Sequence, residues 1–215
     1  MKQETTKDRI LLSALDLFSQ YGYEAVSVEQ IATAVGIKAP SLYKHYKSKQ
    51  DIFNAIFAEM QRRYDEQTEK MDLHLADAAA DKNRFSKITC DTLVKEVQDL
   101  IGYSLHDECV SRFRRLMTIE QFRSPEISAL YTQRYVDRLV QYHERLFAGL
   151  IHADVMKNGD IHSMALQYVC PILISLSVCD RQPELEAQAM SQIDAHIRQF
   201  MSAYHTDLGR AGKAT

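Results

Sequence analysis

The chain has 215 residues, 46% of them hydrophobic, with seven glycines, four prolines and a formal net charge of -3. That length fills one sizeable core, or a small domain joined to a larger one. The acidic balance gives no overall nucleic-acid signal, and so few helix breakers suit a helical protein.

Charge is unevenly placed. Residues 1–50 hold seven Lys/Arg and five Asp/Glu, a net of +2, and the remaining 165 hold 19 and 24, a net of -5. Cys90, Cys109, Cys170 and Cys179 show no close metal-ligand spacing. They read as free thiols of a reducing cytoplasm, and no metal or cofactor is expected. The start, "MKQETTKDRILLSALDLF", is too charged for a signal-peptide core. The most apolar stretch, "YVCPILISLSVC", is too short to span a bilayer. A soluble cytoplasmic protein with no membrane partner is expected.

The first helix is predicted from about Thr6 to Tyr21, with Ile10, Leu11, Ala14, Leu15 and Phe18 at helical spacing. Gly22 stops it in a left-handed conformation. Ser27 and Gln30 form a capping box for a second helix with Ile31, Ala32 and Val35 inward, ended at Gly36. A third helix spans "KAPSLYKHY", where Pro40 is tolerated in the first turn and Leu42 faces in. Two short helices across a glycine turn make a helix-turn-helix unit, with the first helix as its lid. Lys38, Lys44, Lys47 and Lys49 gather here with no acid before Asp51. This face is either solvated surface or the face that meets a phosphate backbone.

The run "AVSVEQIATAVGIKAPSLYKHYKSKQDIF", with "RILLSALDLFSQYGYEA" before it, resembles the DNA-binding signature of the tetracycline-repressor (TetR) family. The resemblance covers about residues 6–55 and departs at Lys38, where the family usually has a capping Ser or Thr. It implies an all-α protein: an N-terminal helix-turn-helix domain over residues 1–48, a helical effector-binding and dimerisation domain over 49–205, and a disordered tail over 206–215. It implies a ligand-responsive homodimer that represses transcription from a palindromic DNA operator and is released by a small effector. No arginine-rich anion cage is evident in the sequence, although Arg112, Arg114 and Arg115 are adjacent, which points to an uncharged or cationic, rather lipophilic molecule. The alternative is a regulator whose large domain binds a protein partner instead. The DNA-facing residues would be Ser27, Ala39, Ser41, Tyr43, Lys44, His45 and Lys49. Ala39 would meet a thymine methyl, Ser41 an edge or a phosphate, and Lys44 a guanine or a phosphate. Tyr43, His45, Lys49 and Ser27 would hold the backbone, and Tyr46 belongs to the small domain's core.

The fourth helix is predicted from about Lys49 to Leu75. "ADAAADKN" reads as a break, and a fifth helix runs from about Arg84 to Ile101 until Gly102. A sixth covers about Glu108 to Phe122. Ser124, Pro125 and Glu126 start a seventh that continues to about Ala153. The eighth spans Ile161 to Val178, where Pro171 predicts a kink and a freed backbone acceptor. The ninth spans Leu185 to Tyr204. Of the last two, Met164, Ile172, Ile193, Ile197, Phe200 and Tyr204 are assigned to a two-fold four-helix dimer interface. Phe113, Met117, Tyr142 and Tyr168 are the candidates for an apolar effector pocket. No hydrolase, nucleotide-binding or metalloprotease pattern appears among the eight scattered histidines, so no enzyme is expected.

Overall fold

The computed structural model describes residues 5–72, 74 and 77–206. Among these the fold is all-α, as the sequence predicts. The helices are α1 (Thr6–Tyr21), α2 (Val28–Val35), α3 (Ala39–Leu42), α4 (Lys49–Lys70), α5 (Ala78–Phe85), α6 (Cys90–His106), α7 (Glu108–Glu120), α8 (Pro125–Thr132), α9 (Arg138–His152), α10 (Ile161–Arg181) and α11 (Glu186–Tyr204). A π-helical stretch, Gln133–Asp137, joins α8 to α9, and a 3-10 turn, Pro183–Leu185, precedes α11. The expected tail lies outside the described residues from residue 207 onward. Thr206 is held: its N–H donates to the Val155 carbonyl (3.0 Å) and its hydroxyl to that of Asp154 (2.6 Å).

Two compact units form: Met1–Gln67 with His106–Tyr131, and Thr68–Leu105 with Thr132–Thr215. These do not coincide with the segments 1–48 and 49–205, because α7 packs on α1 from far along the chain. In the first unit α1 buries Ile10, Leu11, Ala14, Leu15 and Phe18. Thr5 and Asp8 cap its start reciprocally. Leu42, Tyr46, Ile52, Phe53 and Ile56 complete this core, each 3% exposed or less.

In the second unit α9 packs against α5 and α10, and α10 against α11. The predicted fifth helix is in fact two. "ADAAADKN" is not a break: Asp77 caps α5 by accepting the amides of Ala79 and Ala80 (3.1 and 3.3 Å), and the alanines behind it are strong helix formers. The break comes later, at Ser86–Thr89, where Thr89 caps α6 through the Thr92 amide (3.2 Å). Gly102 does not interrupt α6, since a lone glycine costs a helix only about 1 kcal/mol against alanine. α4 ends at Lys70, before the predicted Leu75, at a turn with Asp72 at φ 55°. Phe122, expected to line α7, lies beyond its end and is 86% exposed.

α10 runs unbroken through Pro171, so the predicted kink leaves no interruption. On that turn the Tyr168 carbonyl accepts the His196 Nε2–H at 2.9 Å, a partner supplied by α11.

Candidate functional site

Residues 27–51 place the helix-turn-helix. Ser27 Oγ accepts the Gln30 amide (3.2 Å) and Gln30 Oε1 accepts the Ser27 amide (2.7 Å), which closes the capping box. Gly36 ends α2 in the left-handed region, at φ 77°, ψ 33°, where Ile37 N–H closes on the Ala32 carbonyl (2.9 Å). Lys38 then starts α3 with no side-chain cap, as its departure from the usual Ser or Thr implies. Only Ala39–Leu42 is α-helical, and Tyr43, Lys44 and His45 continue as a turn.

Leu42 is fully buried, and that anchors α3 and sets which residues face out. Tyr43 is 49% exposed, Lys44, His45 and Lys47 are exposed, and Ala39 and Ser41 are half-buried. Small residues at the start of a short helix let it approach a surface closely, and the hydroxyls and amines beyond can reach phosphates or base edges.

Lys49 is engaged elsewhere. Its ammonium donates to the carbonyls of Tyr23 (2.9 Å) and Glu24 (3.4 Å) and lies 4.4 Å from the Tyr23 ring centroid. These bonds tie α4 to the junction after α1, and the Glu24 carboxylate lies 4.0 Å from the same ammonium. Sequence reading also missed the cap of α4. Ser48 Oγ accepts the Asp51 amide (3.0 Å), and Asp51 accepts the Lys47 amide (3.0 Å). The signal was present as Ser-x-x-Asp.

The same junction is fastened from α7. The buried Glu120 carboxylate accepts the Tyr23 amide (3.1 Å) and pairs with Arg123 (3.2 Å). Gly22 sits between, at φ 86°, ψ 157°. That is positive φ but not the left-handed helical conformation expected, because the chain leaves α1 extended.

The four effector candidates fall into different units. Phe113 and Met117 are buried in the first, where Phe113 packs edge-on against Phe57 at 5.8 Å. Tyr142 and Tyr168 are buried in the second, around His143: ring centroids are 5.1 Å to Tyr142 and 4.8 Å to Tyr168, with Phe147 at 5.6 Å. Tyr142 donates its hydroxyl to Asp81, a buried carboxylate that also accepts the His74 amide (2.9 Å) and Nδ1–H (2.8 Å). Burial and this bond push the Tyr142 hydroxyl well above the usual tyrosine range.

His143 Nδ1–H donates to the Leu139 carbonyl at 2.8 Å, so its Nε2 is the bare nitrogen. Burial among the rings holds its pKa down to about 4. A lowered histidine favours the neutral form in the fold, so its contribution to stability is present above the unfolded value and is lost as pH falls from about 6.5 towards 4. Between pH 7 and 4.5 the wild type should lose about 2–3 kcal/mol more stability than His143→Phe. His74, raised by its bond to Asp81, acts with the opposite sign but is common to both proteins. Thermal melts with equal pH slopes would contradict the burial of a neutral imidazole.

The assigned dimer stripe needs correction. Met164, Ile193, Ile197 and Phe200 are each 6% exposed or less inside one chain, and Phe200 stacks among Phe147, Tyr168 and Tyr204. They are core, so a charge at Phe200 would unfold the second unit rather than merely dissociate a dimer. Ile172 and Tyr204 are half-buried. Helical periodicity shows that a stripe is buried but not by what. The face left outward is different: Ile174 is 63% exposed, Cys170 is exposed, and only 22% of the most apolar stretch of α10 lies buried. At 21 residues α10 is longer than the sequence suggested, and by length and composition alone it could cross a membrane.

Residues 10–56 match the family model of bacterial regulatory proteins, tetR family. A 47-residue stretch, 22% of this chain, is 43% identical to the biofilm operon icaADBC negative transcriptional regulator IcaR of Staphylococcus epidermidis, of which it covers 25%. The probable HTH-type transcriptional regulator YttP of Bacillus subtilis is 26% identical over 139 residues, 63% of each protein. The chain thus spans a quarter of IcaR and under two thirds of YttP. Among solved structures, SmeT, the repressor of the Stenotrophomonas maltophilia multidrug efflux pump SmeDEF, superposes with a TM-score of 0.65 at 19% identity, over 96% of this chain and 93% of SmeT. The SmeT–triclosan complex gives 0.62 at 20%, over 95% and 93%. At these identities the likeness is one of fold.

Proposed function

We propose that this chain, a TetR-family protein by its N-terminal domain, is a dimeric transcriptional repressor that binds a palindromic operator and is released by a small molecule. The observation that carries the reading is the exposed face formed by α3 and the turn after it. Tyr43, Lys44 and His45 are exposed and Ser41 is half-buried, on a segment anchored by the fully buried Leu42 and positioned by the Gly36 turn. Residues 1–48 act as the DNA-binding domain and 49–205 as the effector-binding and dimerisation domain, in the cytoplasm. Ala39 and Ser41 approach base edges, Lys44 a guanine or a phosphate, and Tyr43, His45 and Ser27 the backbone.

Dimerisation runs through the outward faces of α10 and α11, centred on Ile174, rather than through the stripe that each chain buries for itself. An apolar helix so little covered within its own chain needs a covering surface, and a two-fold partner supplies the same face back. Two-fold symmetry then matches an inverted repeat in the DNA. The effector is small and rather lipophilic and sits in the second unit near Tyr142 and Tyr168. Its binding changes the separation of the two recognition helices, a coupling between distinct sites.

Two lysines separate the DNA role from the structural one. Lys44→Ala should weaken DNA binding and lower the salt slope by roughly one per subunit, with thermal stability unchanged. Lys49→Ala should instead lower the melting temperature, because the Tyr23 and Glu24 carbonyls lose their donor. Fluorescence anisotropy on labelled duplexes at several salt concentrations, with parallel melts, measures both. A Lys44→Ala protein with unaltered affinity and salt slope would remove the central lysine from the interface.

A further inference from the structure

In the second unit an ion pair joins α5 and α6, Arg84 Nη2 to Glu96 Oε1 at 2.5 Å. Arginine and a carboxylate commonly close with two parallel bonds. Here they meet through one. Arg84 Nη2 also donates to the Met71 carbonyl (3.4 Å), and Nε lies 3.7 Å from Asp72. Among the described residues, Arg84 Nη1 and Glu96 Oε2 are buried with no hydrogen-bond partner. A buried unpaired donor or acceptor is costly, more so on a charged group. The fold therefore holds a donor and an acceptor, one on each half of a single contact, that something else must satisfy.

Their surroundings restrict what that is. Asp81, three residues before Arg84 on α5, accepts the Tyr142 hydroxyl, which places that ring, and beyond His143 the Tyr168 ring, beside this part of α5. Around them stand His143 and Phe147, and Phe200 packs on Tyr168 at 5.0 Å. A carboxylate ligand would be repelled by Glu96 and an ammonium by Arg84. A neutral group that both accepts and donates suits the two atoms together. A hydroxyl on an aromatic ring does this with one oxygen, and its ring suits aromatic walls.

We propose that the Arg84–Glu96 pair is the polar end of an effector site for uncharged hydroxylated aromatic molecules, whose hydroxyl accepts from Arg84 Nη1 and donates to Glu96 Oε2. This rests on the reading of the chain as effector-responsive and names the effector's chemical class.

The probe is 1-naphthol, compared with 1-methoxynaphthalene, which cannot donate, and with 1-naphthoate, which is anionic. The chain has no tryptophan, so naphthyl fluorescence reports binding directly. The intact dimer should bind 1-naphthol roughly ten- to a hundredfold more tightly than either comparator, the range for a hydrogen bond to a charged partner. The double variant Arg84→Met/Glu96→Leu replaces the pair with apolar groups, a change the fold tolerates better than removal of one partner. It should keep its helical circular dichroism and its binding of the ether, while the preference for the hydroxyl falls to about one. A wild type that binds naphthol and ether equally, or binds neither, overturns the proposal, as does a preference that survives in the double variant. A different compound that releases DNA from wild type and double variant alike would also overturn it while leaving the effector reading intact. If no compound in a broad screen releases DNA, that reading itself fails.

Discussion

Ile174→Glu should convert the proposed dimer to monomers and raise the apparent dissociation constant for operator DNA by at least roughly a hundredfold. Ile174 is the most exposed large aliphatic side chain of α10, at 63%, and it lies on the face that its own chain leaves uncovered. In a two-fold interface a single substitution appears twice, and each new carboxylate would enter an apolar contact without a partner. Burial of such a charge is expensive, and the loss would be felt at the DNA because each half-site then binds alone. The second unit should stay folded, since Ile174 is not part of its interior. Phe200→Glu serves as the contrast. It should reduce helical content, because Phe200 lies among Phe147, Tyr168 and Tyr204. Sedimentation velocity and circular dichroism measure the pair. A wild-type dimer in Ile174→Glu would move the interface off this face.

Gly22→Ala and Gly102→Ala should change stability in opposite directions. Gly22 occupies φ 86°, ψ 157°, a conformation open essentially to glycine alone, and a Cβ there would meet Glu120 Oε1 and Arg123 Nη1, both at 2.9 Å. Those two atoms are side-chain tips and can yield, but the backbone angles cannot. The cost should be about 1–3 kcal/mol. The displaced Glu120 would also release the Tyr23 amide, so the effect should extend to DNA affinity. Gly102 lies inside α6 with nothing within 4 Å of a Cβ, so alanine should stabilise by about 0.5–1 kcal/mol. Urea titrations of the two variants give the signs. A neutral Gly22→Ala would mean that the junction after α1 is free to relax.

The small N-terminal module was legible because its signals are local. Ser27 with Gln30, Gly36 in its turn, and buried Leu42 each follow from a few neighbouring residues, and the structure agrees at each of them. Tyr46 is 3% exposed, as its placement in the core required. What was missed was non-local. Nothing near Lys49 in sequence shows that its ammonium folds back 26 residues onto the Tyr23 carbonyl. Likewise, nothing near Glu120 shows that it holds the Tyr23 amide from α7. The stripe on α11 is correctly apolar and wrongly partnered, since periodicity marks the buried side of a helix but cannot distinguish its own core from a second subunit. Asp81 and Arg84 are invisible for a related reason: a charged residue in an alanine-rich helix reads as solvated surface until the Tyr142 hydroxyl or the Glu96 carboxylate arrives from elsewhere. The α5 and α6 boundaries are a different failure. Asp77 and Thr89 are ordinary caps, and the alanine run between them looks like a linker when its cap is overlooked.

The most direct test is selection of bound duplexes from a random-sequence pool by the purified full chain, with the stoichiometry of the winning complex measured. The expected result is enrichment of two copies of one short sequence in inverted orientation, bound by a dimer. Enrichment of no sequence at all, or of a single unrepeated site held by a monomer, would contradict the assignment of this protein as a dimeric operator-binding repressor.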